Sequence, residues 1–268
     1  MRFPRGLPGW ATGLIGVAVV IGLWWLGAVT IFRNTGSVPG GAIPTPGAVL
    51  AGVATDGAEF YLAHVSITLQ EAGLGFLWGN GLALLLAAVV LVLPRVEKVA
   101  LQIAVITYCI PIVAIGPIAY IVIGAPRGGD PSGTAVFLAA MSVFFTTVVG
   151  SLVGLKAASA ASLDLVSVYG GNRLMQLRKV RMMAGLPSVL NALQVAAPAA
   201  LLGAILGEYL GGVDRGLGIA LLAAGSAANV PRVWGLALIA GLLAGLGYAL
   251  FALVSRVATP WMTGRATL

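Results

Sequence analysis

Apolar residues run along this chain in long blocks, and most of the charge is gathered in the segments between them. Six blocks stand out, at 10–32, 63–93, 99–124, 134–155, 187–207 and 233–257. Each is long enough for a helix to cross the hydrocarbon core of a bilayer, which takes about 20 residues. The second is longer than a bilayer needs, so a tilt or an interfacial first turn around His64 is expected. The first follows Arg2 and Arg5, as in a signal peptide, but its apolar run is too long for one and no small-residue cleavage site follows, so it reads as a retained span. Prolines and glycines crowd the stretch from Gly36 to Gly47 and exclude a helix there, while 48–60 reads as a short surface helix opened by Pro46-Gly47. The expected organisation is one transmembrane domain over 1–268: a first span, an external segment at 33–62, and a core of five spans over 63–257.

Composition agrees with the pattern. Hydrophobic residues make up 59% of the chain and charged residues 9%, against about a quarter charged in a soluble domain. Such a chain cannot cover itself with a hydrated surface, so a water-soluble monomer is excluded. The 38 glycines suit helices packed backbone to backbone, and Gly75/Gly79, Gly203/Gly207 and Gly241/Gly245 read as helix contacts. The net charge of +7 suggests nucleic acid only until the cations are placed. With both termini in the cytoplasm, eleven cations fall inside (Arg2, Arg5, Arg95, Lys98, Lys156, Arg173, Arg178, Lys179, Arg181, Arg256, Arg265) and four outside (Arg33, Arg127, Arg215, Arg232). That bias orients a protein of the cell membrane and leaves no nucleic-acid partner.

Scarcity limits the chemistry. Cys109 and His64 are the sole residues of their kinds, so a disulfide, an HExxH pair or a Cys/His zinc site cannot form within the chain. None of the three lysines closes a GxxxxGK phosphate loop, and the glycine-rich 211–218 stretch follows no strand. An enzyme buried in the membrane is therefore hard to assemble. Polar residues inside spans tend to face a bundle interior or a water-filled path. Thr107, Tyr108 and Cys109 ahead of Pro111, with Asn191 and Gln194 in the fifth span, are candidates for such a path, and helix–helix hydrogen bonding is the alternative. Glu71 admits three readings: a proton relay in a secondary carrier, a partner for an arginine on a second subunit, or a carboxylate near the outer interface within reach of water. The halves show no matching broken segments, so the inverted repeat of many carriers is missing.

The inner loop over 156–186 is long for a simple connection. Gly170-Gly171-Asn172 separates two short helices, the second of them amphipathic. Anionic lipid head groups could hold such a pair at the membrane surface, at about 1 kcal/mol per basic residue.

The order of residues resembles that of ABC-importer permeases. Asp164 lies six residues before Gly170, a basic-apolar helix follows, and Gly185-Leu186-Pro187-Ser188-Val189 closes the loop. Gly207-Glu208-Tyr209-Leu210-Gly211-Gly212 and Arg215-Gly216-Leu217-Gly218-Ile219 stand downstream. Pro44-Thr45-Pro46-Gly47-Ala48-Val49-Leu50, Gly75-Phe76 and the proline-rich third span stand upstream. The resemblance covers about 40–260 and is closest to the nitrate/sulfonate/taurine type, which includes transporters of pyrimidine-like vitamin precursors. It implies an all-α fold of about six spans, that of a type I ABC importer permease, with a cytoplasmic coupling helix. It also implies two ATPase subunits that bind ATP and Mg, no cofactor in this chain, a second permease subunit, and an extracytoplasmic solute-binding protein. On that resemblance Leu165, Val168, Tyr169 and Leu174 form an apolar knob, Asp164 and Arg173 steer its docking, Gly170 allows close approach, and Glu208 helps gate the path. The chain departs from the family where Asp164 replaces a usual Glu, Leu165 and Val166 replace alanines, Met183 replaces a proline and Glu71 replaces an arginine. These departures make a heterodimer with a more typical permease a plausible alternative to a homodimer. The solute is expected to be a small organic anion or a vitamin-precursor-like molecule, and Glu71 keeps a proton-coupled carrier open as the alternative.

Overall fold

The computed structural model describes residues 9–35 and 41–263; Arg2, Arg5, Arg265 and the Val38-Pro39-Gly40 part of the proline-rich segment lie outside the described residues. All regular elements among the described residues are helical. In chain order they are α1 (Gly9–Val29), α2 (Pro46–Val92), a 3-10 turn (Pro94–Val96), α3 (Glu97–Cys109), α4 (Ile112–Ile123), α5 (Gly133–Lys156), α6 (Ala160–Val168) and α7 (Arg173–Gln176). A π turn (Leu177–Arg181), α8 (Met182–Leu210), α9 (Leu217–Ser226), α10 (Val230–Ala258) and α11 (Pro260–Thr263) follow. Five helices are long and apolar enough to cross a membrane, and a sixth span results if α3 and α4, bent by 96° to one another, are counted together.

The six apolar windows thus correspond to helices, with three differences of local cause. α2 begins at Pro46 and takes up much of the segment expected as an external loop; it is broken at Gly57 (φ 78°, ψ 157°), a backbone conformation open in practice to glycine alone. The third span is split at Ile110-Pro111, because proline has no N–H to donate and drives the residue before it into the extended region. α9 is a further short apolar helix in a stretch expected to be loop.

The chain forms two compact units. One contains the residues up to Tyr61 together with Leu221–Leu238. In it Asp56 forms an ion pair with Arg232, whose Nε also donates to Asp56 Oδ2 at 2.9 Å. The Tyr61 hydroxyl donates to the same carboxylate at 3.1 Å, and the guanidinium lies 5.1 Å from the Phe60 ring centre. Trp24 stacks on Trp234 with centroids 5.4 Å apart, and its Nε1 donates to Pro44 O at 3.0 Å.

The other unit contains Leu62–Ala220 and the chain from Ile239 onward. Its centre is a seam of small residues, the arrangement that lets helix backbones approach where lipid supplies no hydrophobic drive. Gly203 and Gly207 of α8 lie against Ala135, Ala139 and Ser142 of α5. Gly75 and Gly79 of α2 lie against Ala139, Ala140 and Val143 of the same helix. Thr147 Oγ1 donates to Asn80 Oδ1 at 2.5 Å and ties α5 to α2 inside the bundle. A second apolar cluster joins Ala83, Ala87 and Val90 of α2, Ala104 of α3 and Leu152 of α5. The third glycine pair behaves differently. Gly241 and Gly245 have open space where a side chain would stand, so the expected close contact there is not made among the described residues.

Candidate functional site

Two places in the larger unit gather the residues singled out in the sequence. The first is the helical turn after α5. Lys156 ends α5 and pairs with Glu97 of α3. Ser159 caps α6, accepting from Ser162 N at 3.3 Å, and Asn172 caps α7, accepting from Met175 N at 2.9 Å. Between them Gly170 (φ 77°) reverses the chain, and Val166 leaves no room for a side chain at Gly171. Gln176 Nε2 donates to Leu163 O at 3.1 Å and to Ser167 Oγ at 2.9 Å, which locks α7 onto α6. The π turn then leads into α8, with Leu177 buried and Arg178 and Lys179 exposed. Such single π turns are frequent at functional positions.

All seven residues expected to couple to a motor lie on this turn. Val168 is 82% exposed and Tyr169 84%, at the tip, and Leu165 and Leu174 are also exposed. Asp164 is exposed beside them. Arg173 reaches back toward α2, where its Nη1 donates to Val92 O at 3.5 Å, and Arg181 donates to Leu155 O at 3.4 Å. The result is a braced helix–turn–helix with large apolar side chains at its end.

The candidate path residues are not gathered around one cavity. Thr107 lines an apolar cleft of about 450 Å³ with Trp78, Leu82, Phe137 and Phe144, its hydroxyl bonded to Ile103 O at 2.9 Å. Tyr108 is exposed and stacks on Phe145 at 4.6 Å. Cys109 and Pro111 are exposed at the elbow between α3 and α4, while Asn191 is exposed and Gln194 half-buried on α8.

Glu208 lies elsewhere, in a buried polar cluster at the opposite ends of α5 and α8 from the coupling turn. Its Oε1 accepts from Thr68 Oγ1 at 2.5 Å and its Oε2 from Gly218 N. Leu217 N donates to Thr68 Oγ1 at 2.8 Å, and Gly216 N donates to His64 Nδ1 at 3.0 Å. Glu71 Oε1 accepts from Ser132 N at 2.6 Å, and the Glu71 carboxyl lies against that of Glu208. Thr68, Glu71, Ser132 and Glu208 are fully buried. Glu71 thus has its neighbours inside its own chain, and Glu208 is bonded in the interior of the bundle. Thr68, Ser132, Asn80 and Thr147 were missed in the sequence. A signal for Thr68 was present, since it stands about one helical turn before Glu71 on the same helix. Among the described residues, no three His, Cys, Asp or Glu side chains converge to hold a metal ion.

Residues 79–264 match the family model of the binding-protein-dependent transport system inner membrane component. The chain belongs to this family. This permease is thus the non-catalytic transmembrane subunit of an ABC importer, and its bundle is consistent with the type I permease fold. It is 29% identical to a protein of Haemophilus influenzae named as a probable ABC transporter permease, over 84% of this chain and 87% of the relative. It is 25% identical to the formylaminopyrimidine transport permease of Halalkalibacterium halodurans, over 82% of this chain and 85% of the relative. A Bacillus subtilis permease named provisionally for aliphatic sulfonates is 24% identical, over 84% of this chain and 78% of the relative.

Proposed function

We propose that this permease forms half of the translocation path of an importer for a small organic anion or a pyrimidine-like vitamin precursor. In this reading two ATPase subunits dock on the α6–α7 turn, a solute-binding protein delivers the solute at the opposite face, and the basic end of the bundle is cytoplasmic. A second permease subunit, identical or different, completes the path. The observation that carries the docking is the exposed apolar tip of Leu165, Val168, Tyr169 and Leu174 on a turn braced by Asn172 and Gln176. A knob of that kind gains energy when a pocket buries it, more than its charged rim does. The brace lets the turn transmit a push as one body. The names of two relatives, for formylaminopyrimidine and for aliphatic sulfonates, support the two solute classes. A proton-coupled carrier would need a carboxyl that opens to one face, and full burial of Glu71 gives that reading no support.

The test is Val168→Asp with Tyr169→Ala in permease co-expressed with its cognate ATPase and binding protein. Membrane insertion is expected to persist while ATPase co-purification and solute uptake are lost. Unchanged co-purification, with the turn released from anionic vesicles by neutralising Arg178 and Lys179, would replace motor docking by lipid binding.

A further inference from the structure

The contact between Glu71 and Glu208 poses a chemical problem. Both carboxyl groups are fully buried and face one another, yet neither is in an ion pair among the described residues. Three of their four oxygens have protein donors: Ser132 N for Glu71 Oε1, Thr68 Oγ1 for Glu208 Oε1 and Gly218 N for Glu208 Oε2. The fourth, Glu71 Oε2, has none. His64 brings no positive charge, because a ring nitrogen that accepts the Gly216 N–H carries no proton of its own there. Two like charges in contact away from water cannot both persist, and a carboxylate supplies no hydrogen to the gap.

We infer that Glu71 and Glu208 form a proton-binding site, one proton being held between the two carboxyls as a hydrogen bond from the neutral acid to the remaining carboxylate. The remaining negative charge is met by the N–H and hydroxyl donors already in place. The bonded unit fastens α2, the start of α5 through Ser132, the end of α8 and the Gly216–Gly218 turn. The proton is a resident part of the fastening and not a transported ion, since the fully buried cluster opens to neither face in this state. The surrounding titratable and charged groups are His64 on α2 and Tyr209 on α8, Arg127 and Asp130 between α4 and α5, and Asp214 and Arg215 before α9. The four between helices line a small cavity with Ile67.

Of eight acidic residues in the chain, Glu71 and Glu208 are the two that are fully buried, so infrared spectroscopy of the full chain in nanodiscs reads them with little background. Wild-type protein is expected to show a carboxylic-acid C=O band at neutral pH that shifts when glutamate is isotope-labelled. Glu71→Gln should abolish the band and keep the melting midpoint, because the amide donates to Glu208 as the acid did. Glu71→Ala should lower the midpoint. Glu208→Gln is the second variant should Glu71→Gln fold poorly. Absence of the acid band from the wild type overturns the inference. So does a midpoint that rises with added sodium or potassium while the band stays absent, which would assign the site to a metal cation.

Discussion

Gly207 and Gly245 both stand inside long apolar helices in GxxxG pairs, yet their surroundings differ completely. A methyl group on Gly207 would overlap the Cα of Ala135, which is backbone on a helix that cannot swing away, whereas nothing lies within 4 Å of a methyl on Gly245. Gly207→Ala should therefore push α8 from α5 and destabilise the bundle by about 1–3 kcal/mol, the usual effect of overpacking. Gly245→Ala meets no such clash and should gain up to about 1 kcal/mol from helix propensity. The difference between the two variants is then about 1–4 kcal/mol, or roughly 5- to 700-fold in the unfolding equilibrium. Denaturation of the purified chain in mixed micelles by increasing dodecyl sulfate, followed by tryptophan fluorescence, measures that difference. Six tryptophans report, and Trp78 stands next to the α2 glycine that packs on the same helix, α5. Equal midpoints for the two variants would refute the claim that the α5–α8 seam is held by backbone contact.

Thr147→Val removes the hydroxyl that donates to buried Asn80 Oδ1 and should lower stability by about 0.6–1.7 kcal/mol in the same titration, with no change in far-ultraviolet helix content. Gly57→Ala places a side chain at φ 78°, ψ 157° and should cost about 1–3 kcal/mol, read as a lower thermal midpoint than Gly47→Ala, where the backbone is unstrained. Asp56→Ala should speed proteolysis at Arg232 by freeing a guanidinium now bonded to that carboxylate, and Asp56→Glu should restore resistance in part. Asn172→Ala removes the cap of α7 and should reduce coupling of ATP hydrolysis to uptake while leaving helices α5 and α8 as stable as in the wild type.

The membrane class, the positions of the apolar helices and the interrupted turn between α5 and α8 could be read along the chain. These depend on local quantities: a run of apolar residues must leave water, and Gly170-Gly171-Asn172 cannot continue a helix under Val168 and Tyr169. The partners of each residue were decided by tertiary structure. Identical GxxxG spacing is a packed seam at Gly203/Gly207 and open space at Gly241/Gly245, because what a small residue touches depends on the helix that arrives opposite it. Glu71 carried three readings in the sequence. It has one set of neighbours in the structure, since Glu208 lies 137 positions away in the chain but against it in space.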